Sequence, residues 1–301
     1  MAKKKKFFKI FSISFIITLG ILYGIVYLFL NSISIESSLG NSEIPKKRVN
    51  VLILGVANNL SDTIMIASYD MENDKVHMIS VPRDTYYPRK GYNQTAQKKI
   101  NAIYGTDGAE GLVKAVENIT SLDINYYIQF DYEAVEAIVD SIGGIEVEVP
   151  NDMNYDDPID NLHIHFKKGQ IVKNGEDIVK LLRWRKNNKG GGYKDGDLGR
   201  IRMQQQIVKL GIEKLLKGNI VSSFLKLQGP IKEYVRTNMT VNEMMYFVKK
   251  AKNINSENIY FLTAPGKAKN IQGLSFFVID DEEFKEQINK IVEDVSEEVE
   301  E

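Results

Sequence analysis

Cysteine is missing from all 301 residues of this chain. Its absence excludes disulfides, thiolate-bound metals and cysteine nucleophiles, and does not by itself assign a compartment. An excess of either charge is missing too. The formal net charge of -1 provides no overall attraction to nucleic acid or to an anionic membrane. No internal repeat is present, and no low-complexity block lies outside the termini. The charges are nevertheless unevenly placed: Lys3, Lys4, Lys5 and Lys6 crowd the start, and Glu297, Glu298, Glu300 and Glu301 crowd the end. The acidic run, residues 296–301, reads as a solvated tail.

Residues 7–30, FFKIFSISFIITLGILYGIVYLFL, carry a single charge, at Lys9. About 20 apolar residues suffice for a helix to cross the hydrocarbon core of a bilayer. The run is longer than a signal-peptide core and ends in the bulky Tyr27, Leu28, Phe29 and Leu30, which favours an uncleaved anchor over a cleaved signal. The lysine cluster precedes it, so the positive-inside tendency puts residues 1–6 in the cytoplasm and everything after Asn31 outside the cell membrane. Residues 31–47, rich in serine, read as a linker.

From Arg48 onward, strand and helix patterns alternate. Val49, Val51, Leu52, Ile53 and Leu54 form an apolar run closed by Gly55, as in a strand buried on both faces. Further strands are expected at residues 63–69, 75–81, 126–130, 145–149 and 258–262. Helices are expected at 111–119, 133–142, 242–252 and 282–292, with a long one after Gly199. The class is α/β: a single domain, residues 48–295, with a mixed central sheet flanked by helices.

Three segments place charge where a plain core would not. In Ser80-Val81-Pro82-Arg83-Asp84-Thr85, Arg83 follows the end of an apolar strand, where ligands of α/β sheets tend to bind; tying down its own loop through Asp84 is the competing role. In Leu181-Leu182-Arg183-Trp184-Arg185-Lys186, an extended backbone would point Arg183 and Arg185 to one face and Trp184 to the other. Two adjacent guanidiniums suit a pyrophosphate, whose oxygens each planar fork can bind bidentately. In Asp195-Gly196-Asp197-Leu198-Gly199-Arg200, a helix starting near Asp197 would add the anion affinity of its N-terminus, with Asp197 as a possible cap. Arg200 and Gln204 would share one helical face, and Arg202 would turn away from it.

The order and spacing of VNVLILGV, SDTIMIAS, ISVPRDT, KINAIYG, NYYIQFDYEAVEAIVDSIGGIEVEVP, KKGQIVKNGEDIVKLLRWRK, GDLGRIRMQQQ and TAPG resemble the LytR-CpsA-Psr family. The resemblance implies transfer of a phosphate-bearing glycopolymer, of the teichoic acid or capsule kind, from a polyprenyl-pyrophosphate carrier to a hydroxyl of peptidoglycan. It also implies that Asp62 holds a magnesium ion, and that Arg83, Arg183, Arg185 and Arg200 grip the pyrophosphate with help from Gln204 and Lys99. Asp197 would orient the arginines or assist in removing the acceptor proton, which makes Arg83, Asp197 and Arg200 the expected catalytic set. A prenyl chain would lie between sheet and helices.

Two positions depart from the family pattern. Members commonly carry an Asp and then an Arg after the first strand's glycine, where this chain has Gly55-Val56-Ala57-Asn58-Asn59. Met203 stands where an arginine often precedes the glutamine pair. Hydrolysis of the same carrier and non-catalytic binding of lipid phosphate are the rival readings; six cytoplasmic residues are too few to read DNA. His163 and His165 have the spacing of a metal pair on a strand, but no third ligand is evident, and they read as ordinary edge residues. Tyr126, Tyr127, Phe130 and Tyr132 read as packing rather than as a sugar platform.

Overall fold

A computed structural model of the chain describes residues 45, 47–218 and 220–293. The expected anchor at 7–30 and the acidic tail at 296–301 lie outside the described residues. Twelve strands are described: β1 (Arg48–Ala57), β2 (Leu60–Asp70), β3 (Lys75–Ser80), β4 (Tyr126–Phe130), β5 (Val147–Glu148), β6 (Met153–Asp157), β7 (Leu162–Phe166), β8 (Ile171–Val172), β9 (Arg236–Thr237), β10 (Ile259–Thr263), β11 (Gly266–Ile271) and β12 (Leu274–Ile279). The described helices are α1 (Tyr104–Thr120), α2 (Tyr132–Ser141), α3 (Gly175–Arg183), α4 (Asp197–Lys217), α5 (Ile220–Tyr234), α6 (Val241–Lys250) and α7 (Asp281–Glu293).

The central sheet has six strands in the order β10-β3-β2-β1-β4-β9. β1 runs parallel to β4, and β3 runs parallel to β10, while β2 is antiparallel to both β1 and β3. The carboxyl ends of β1, β3, β4 and β10 therefore share one edge of the sheet, and β2 begins there. Alternation along β1 supplies both faces. Leu52 and Leu54 pack with Leu112, Val113 and Val116 of α1 and Phe284 and Ile288 of α7. Val49, Val51 and Ile53 pack on the other face with Val208 and Ile212 of α4 and Phe247 of α6. This is the expected mixed sheet between helical layers.

A second apolar cluster lies beside the sheet, where Trp184, Ile178 and Leu181 meet Met153, Ile164 and Phe166 of the β6–β7 hairpin and Met203 and Ile207 of α4. Its local structure departs from the sequence reading in two ways. Residues 145–149 contribute only the two-residue β5, paired with β8. The stretch expected to be extended through Arg183 is helical up to that residue, because Asn174 caps α3 by accepting from the Asp177 amide at 2.8 Å.

Candidate active site

The shared edge of the sheet positions the charged residues. β1 and β2 are joined by a tight turn at Asn58 and Asn59, both with positive φ (50° and 59°), which brings Asp62 back beside the carboxyl end of β1. Arg83 follows β3 by three residues. Tyr132 opens α2 directly after β4, where Asp131 accepts from the Ala134 amide at 2.8 Å. α4 then delivers Asp197 and Arg200 from its first turn. Gly199 lets Tyr193, from the loop before α4, pack against the first turn: a Cβ there would lie 2.5 Å from the Tyr193 side chain.

These residues surround a cavity of ≈ 760 Å³. Asp62, Arg83, Arg183, Arg185, Asp197 and Arg200 all line it, as do Tyr132 and Ala57. Six cationic side chains face it against four carboxylates, counting Lys186, Lys194, Asp157 and Asp160. An excess of positive charge in a recess concentrates anions there.

Arg83 does not tie down its own loop. It pairs with Asp62, and its Nε lies 3.7 Å from Asp197 Oδ1. Asp84 turns instead to Lys99, whose Nζ lies 2.9 Å from its Oδ1. Lys99, expected to bind phosphate, is thus engaged by Asp84 and is not among the residues lining the cavity. Arg200 is the most deeply placed of the cations, with its side chain 4% exposed and Nη2 2.9 Å from Asp197 Oδ1. The Tyr132 hydroxyl donates to Asp62 Oδ2 at 3.0 Å. Arg183 pairs with Asp160 at 2.7 Å and lies over the Tyr132 ring at 5.1 Å.

Trp184 is buried while both flanking arginines line the cavity, so the two-faced arrangement expected of this segment holds although Arg183 ends a helix. Gly196, at φ 59°, is the cap of α4, and Asp197 is its first helical residue rather than its cap. Arg202 turns outward onto Asp195, at 2.9 Å from Nη2 to Oδ1. Gln204 is buried and lines a narrower crevice with Asp62, Tyr132, Phe130, Val135 and Leu182. The adjacent Gln205 anchors α4 to the sheet through Ser80 Oγ at 2.9 Å and the Leu262 carbonyl at 3.1 Å.

The cluster combines buried guanidiniums with the carboxylates that balance them. Burial disfavours the charge on Arg83, but the carboxylates of Asp62, Asp197 and Asp84 outweigh it and hold the guanidinium above its ordinary pKa. For Arg200, burial wins over Asp197, and with the positive field of Arg83 it lowers the pKa. Among the described residues, Arg83 Nε, Arg200 Nε and both oxygens of Asp197 are buried without a hydrogen-bond partner of acceptable geometry. Buried polar groups are nearly always satisfied, so this concentration of unused donors and acceptors marks a place for a ligand.

A family model described as LytR_cpsA_psr matches residues 31–293. The chain belongs to the LytR-CpsA-Psr family. Among its relatives, the polyisoprenyl-teichoic acid–peptidoglycan teichoic acid transferase TagU of Bacillus mycoides (strain KBAB4) is 30% identical over 314 residues, spanning 96% of this chain and 97% of that one. The enzyme of the same description named TagV, from Bacillus subtilis (strain 168), is 30% identical over 218 residues. That match spans 69% of this chain but only 54% of the relative's length. The crystal structure of B. subtilis TagV superposes with a TM-score of 0.68 at 26% identity, covering 83% of this chain and 98% of that one.

For a LytR-CpsA-Psr protein, two features of this site stand out. Ala57, where the family resemblance led an aspartate to be expected, lines the cavity. Tyr132, read from the sequence as packing, instead lines the cavity and donates to Asp62, while Asp160, which pairs with Arg183, went unrecognised in the sequence. Tyr132 carries a weak signal, since it opens a helix just after a strand's carboxyl end. Asp160 carries none, as it sits in the turn between β6 and β7, where no periodicity marks a side chain's direction.

Proposed function

We propose that this chain transfers a phosphate-bearing anionic glycopolymer from a polyprenyl-pyrophosphate carrier to peptidoglycan. The observation that carries this reading is the convergence of Arg83, Arg183, Arg185 and Arg200 on one cavity with an excess of positive charge. The names of the TagU and TagV relatives support the same chemistry.

An acceptor hydroxyl attacks the polymer-side phosphorus, a new P–O bond forms, and the pyrophosphate P–O bond breaks to release prenyl phosphate. Such a reaction depends on positioning and on neutralising charge at the transferring and leaving phosphates. Arg83 and Arg200 stabilise the transferring group, and Arg183 and Arg185 hold the outer oxygens. The Asp197 carboxylate, held between Arg83 and Arg200, takes the acceptor proton, with Gln204 hydrogen-bonding the phosphate from the crevice side.

The donors present also fit magnesium. Magnesium prefers oxygen ligands, retains several waters and commonly uses one or two carboxylates plus substrate phosphates. Asp62, whose Oδ1 pairs with Arg83 and whose Oδ2 accepts from Tyr132, would hold it on exchanging one of these partners, with Asp197 nearby; when bound, the ion would supply charge neutralisation at the pyrophosphate. The prenyl chain would leave through the crevice lined by Phe130, Val135 and Leu182, which at ≈ 20 Å³ admits it only if these side chains move aside. Residues 7–30 would anchor the chain with its catalytic domain outside the cell membrane, and protease access to that domain from outside intact cells tests this.

The full chain, given a lipid-pyrophosphate-linked oligosaccharide, peptidoglycan and magnesium, is expected to attach polymer covalently to the wall. Arg83→Ala and Arg185→Ala are each expected to lower the rate by about 100-fold or more while the fold persists. Free polymer phosphate as the main product would establish hydrolysis instead. Binding without either product would reduce the protein to a lipid-phosphate receptor, and near-normal rates in both variants would end the site assignment.

A further inference from the structure

The two histidines at 163 and 165 acquire in three dimensions the partner that the linear sequence withheld. β6 and β7 form an antiparallel hairpin in which Asp156 lies opposite His163 and Asn154 opposite His165. Alternation turns Leu162, Ile164 and Phe166 into the apolar cluster and leaves His163 and His165 on the outer face. Asp156 Oδ1 then lies 2.6 Å from His163 Nδ1 and 3.1 Å from His165 Nε2. Two imidazole nitrogens converge on a single carboxylate oxygen.

On the far side of His165, Nδ1 lies 2.8 Å from Asn154 Oδ1, an acceptor, so Nδ1 carries a ring proton. Its Nε2 is left facing the Asp156 oxygen, a contact satisfied by a second ring proton or by a bound cation between the two atoms. A ring nitrogen bonded to an acceptor, with the other nitrogen directed at the metal, is the usual arrangement of a metal-ligating histidine. One ligand atom from each of the three residues lies within 4.8 Å of the others. Donors of a tetrahedral zinc, each about 2.0–2.1 Å from the ion, stand roughly 3.3 Å apart, so small side-chain rotations would suffice.

We propose that Asp156, His163 and His165 bind a divalent transition metal of the zinc class on the outer face of the β6–β7 hairpin, with Asn154 orienting His165. Two imidazoles and one carboxylate select such ions over magnesium or calcium, which prefer oxygen alone. The site is separate from the arginine cavity and does not rest on the transfer reading.

The ion would act as a clamp, because this hairpin supports the cavity. Tyr155, Asp157 and Leu162, on the opposite face of the same strands, line that cavity. The turn residue Asp160 pairs with Arg183 at 2.7 Å. The segment just after Arg185 is stitched to the hairpin, with the Asn154 amide donating to Asn187 Oδ1 at 2.7 Å and the Asp156 amide to Asn188 Oδ1 at 2.6 Å. Tying β6 to β7 therefore fixes the element that holds both arginines of the Arg183–Arg185 pair.

The test uses the full chain, stripped with a chelator and titrated with zinc chloride against a chromophoric competitor. One equivalent is expected to bind, and to raise the melting temperature. The His163→Ala/His165→Ala double variant is expected to lose both effects, and Asn154→Ala to weaken binding by roughly 10–100-fold. His77→Ala, at a histidine stacked on Tyr260 elsewhere in the fold, is expected to retain them. Because Asn154, His163 and His165 are exposed, the circular dichroism of their metal-free variants should match that of the parent. A wild-type chain that takes up no zinc would reduce the cluster to a surface ion pair of protonated histidines. That result, or a zinc equivalent retained by the double variant, overturns the proposal.

Discussion

Asp197 Oδ1 lies 2.9 Å from Arg200 Nη2, and that guanidinium is all but sealed from solvent. The same oxygen is 3.7 Å from Arg83 Nε, so one carboxylate sits between two cations contributed by α4 and by the loop after β3. Replacing it with a neutral amide leaves two buried like charges facing each other. Asp197→Asn is therefore expected to destabilise the fold by about 3 kcal/mol and to abolish transfer. Chemical denaturation gives the first quantity. A variant as stable as the parent would show that solvent, rather than Asp197, balances the arginines.

The narrow crevice beside Gln204 predicts a dependence on lipid length. Leu182→Trp fills the route between Phe130 and Val135 while leaving the cavity arginines in place. Activity on a long-chain polyprenyl donor is expected to fall about tenfold or more, as expected for overpacking a site that must open, with little change on a donor carrying a short alkyl chain. Equal losses on both donors would place the lipid elsewhere.

Ala57 predicts a gain of function. It lines the same cavity as Asp62, and an added carboxylate there would provide a second hard oxygen ligand. Ala57→Asp is expected to lower the magnesium concentration needed for half-maximal activity. An unchanged requirement would indicate that Asp62 is not a metal ligand.

Alkaline stability follows from a tyrosine that supports the site. Tyr193 packs edge-on against Trp184, with ring centroids 4.8 Å apart, and burial pushes its pKa up to about 12. The unfolded phenol ionises near the ordinary tyrosine value of 10.0, before the folded one does. Between these values the native state binds more protons than the unfolded state, so stability falls as pH rises from about 10 to about 12. Below pH 10 this contribution is fully present. Tyr193→Phe is expected to shallow that decline in denaturation experiments, and an identical slope would assign the decline wholly to other tyrosines such as Tyr132, whose pKa is also raised, first by burial and then by Asp62.

The sequence alone determined the apolar runs that build the central strands such as β1, because burial on both faces of a sheet demands apolar residues at successive positions. It also determined that Arg83 follows a strand end, that Arg183 and Arg185 flank an inward Trp184, and that Arg200 and Arg202 diverge on α4, since strand and helix periods are local properties. Tertiary structure decided the partners. Asp84 was the near neighbour of Arg83, yet Asp62 and Asp197 are the carboxylates it meets, while Asp84 takes Lys99 out of the cavity. Only the folded hairpin set Asp156 against His163 and His165. Period and propensity constrain which way a side chain faces, but which charge it faces depends on the edges and loops that packing brings together from distant parts of the chain.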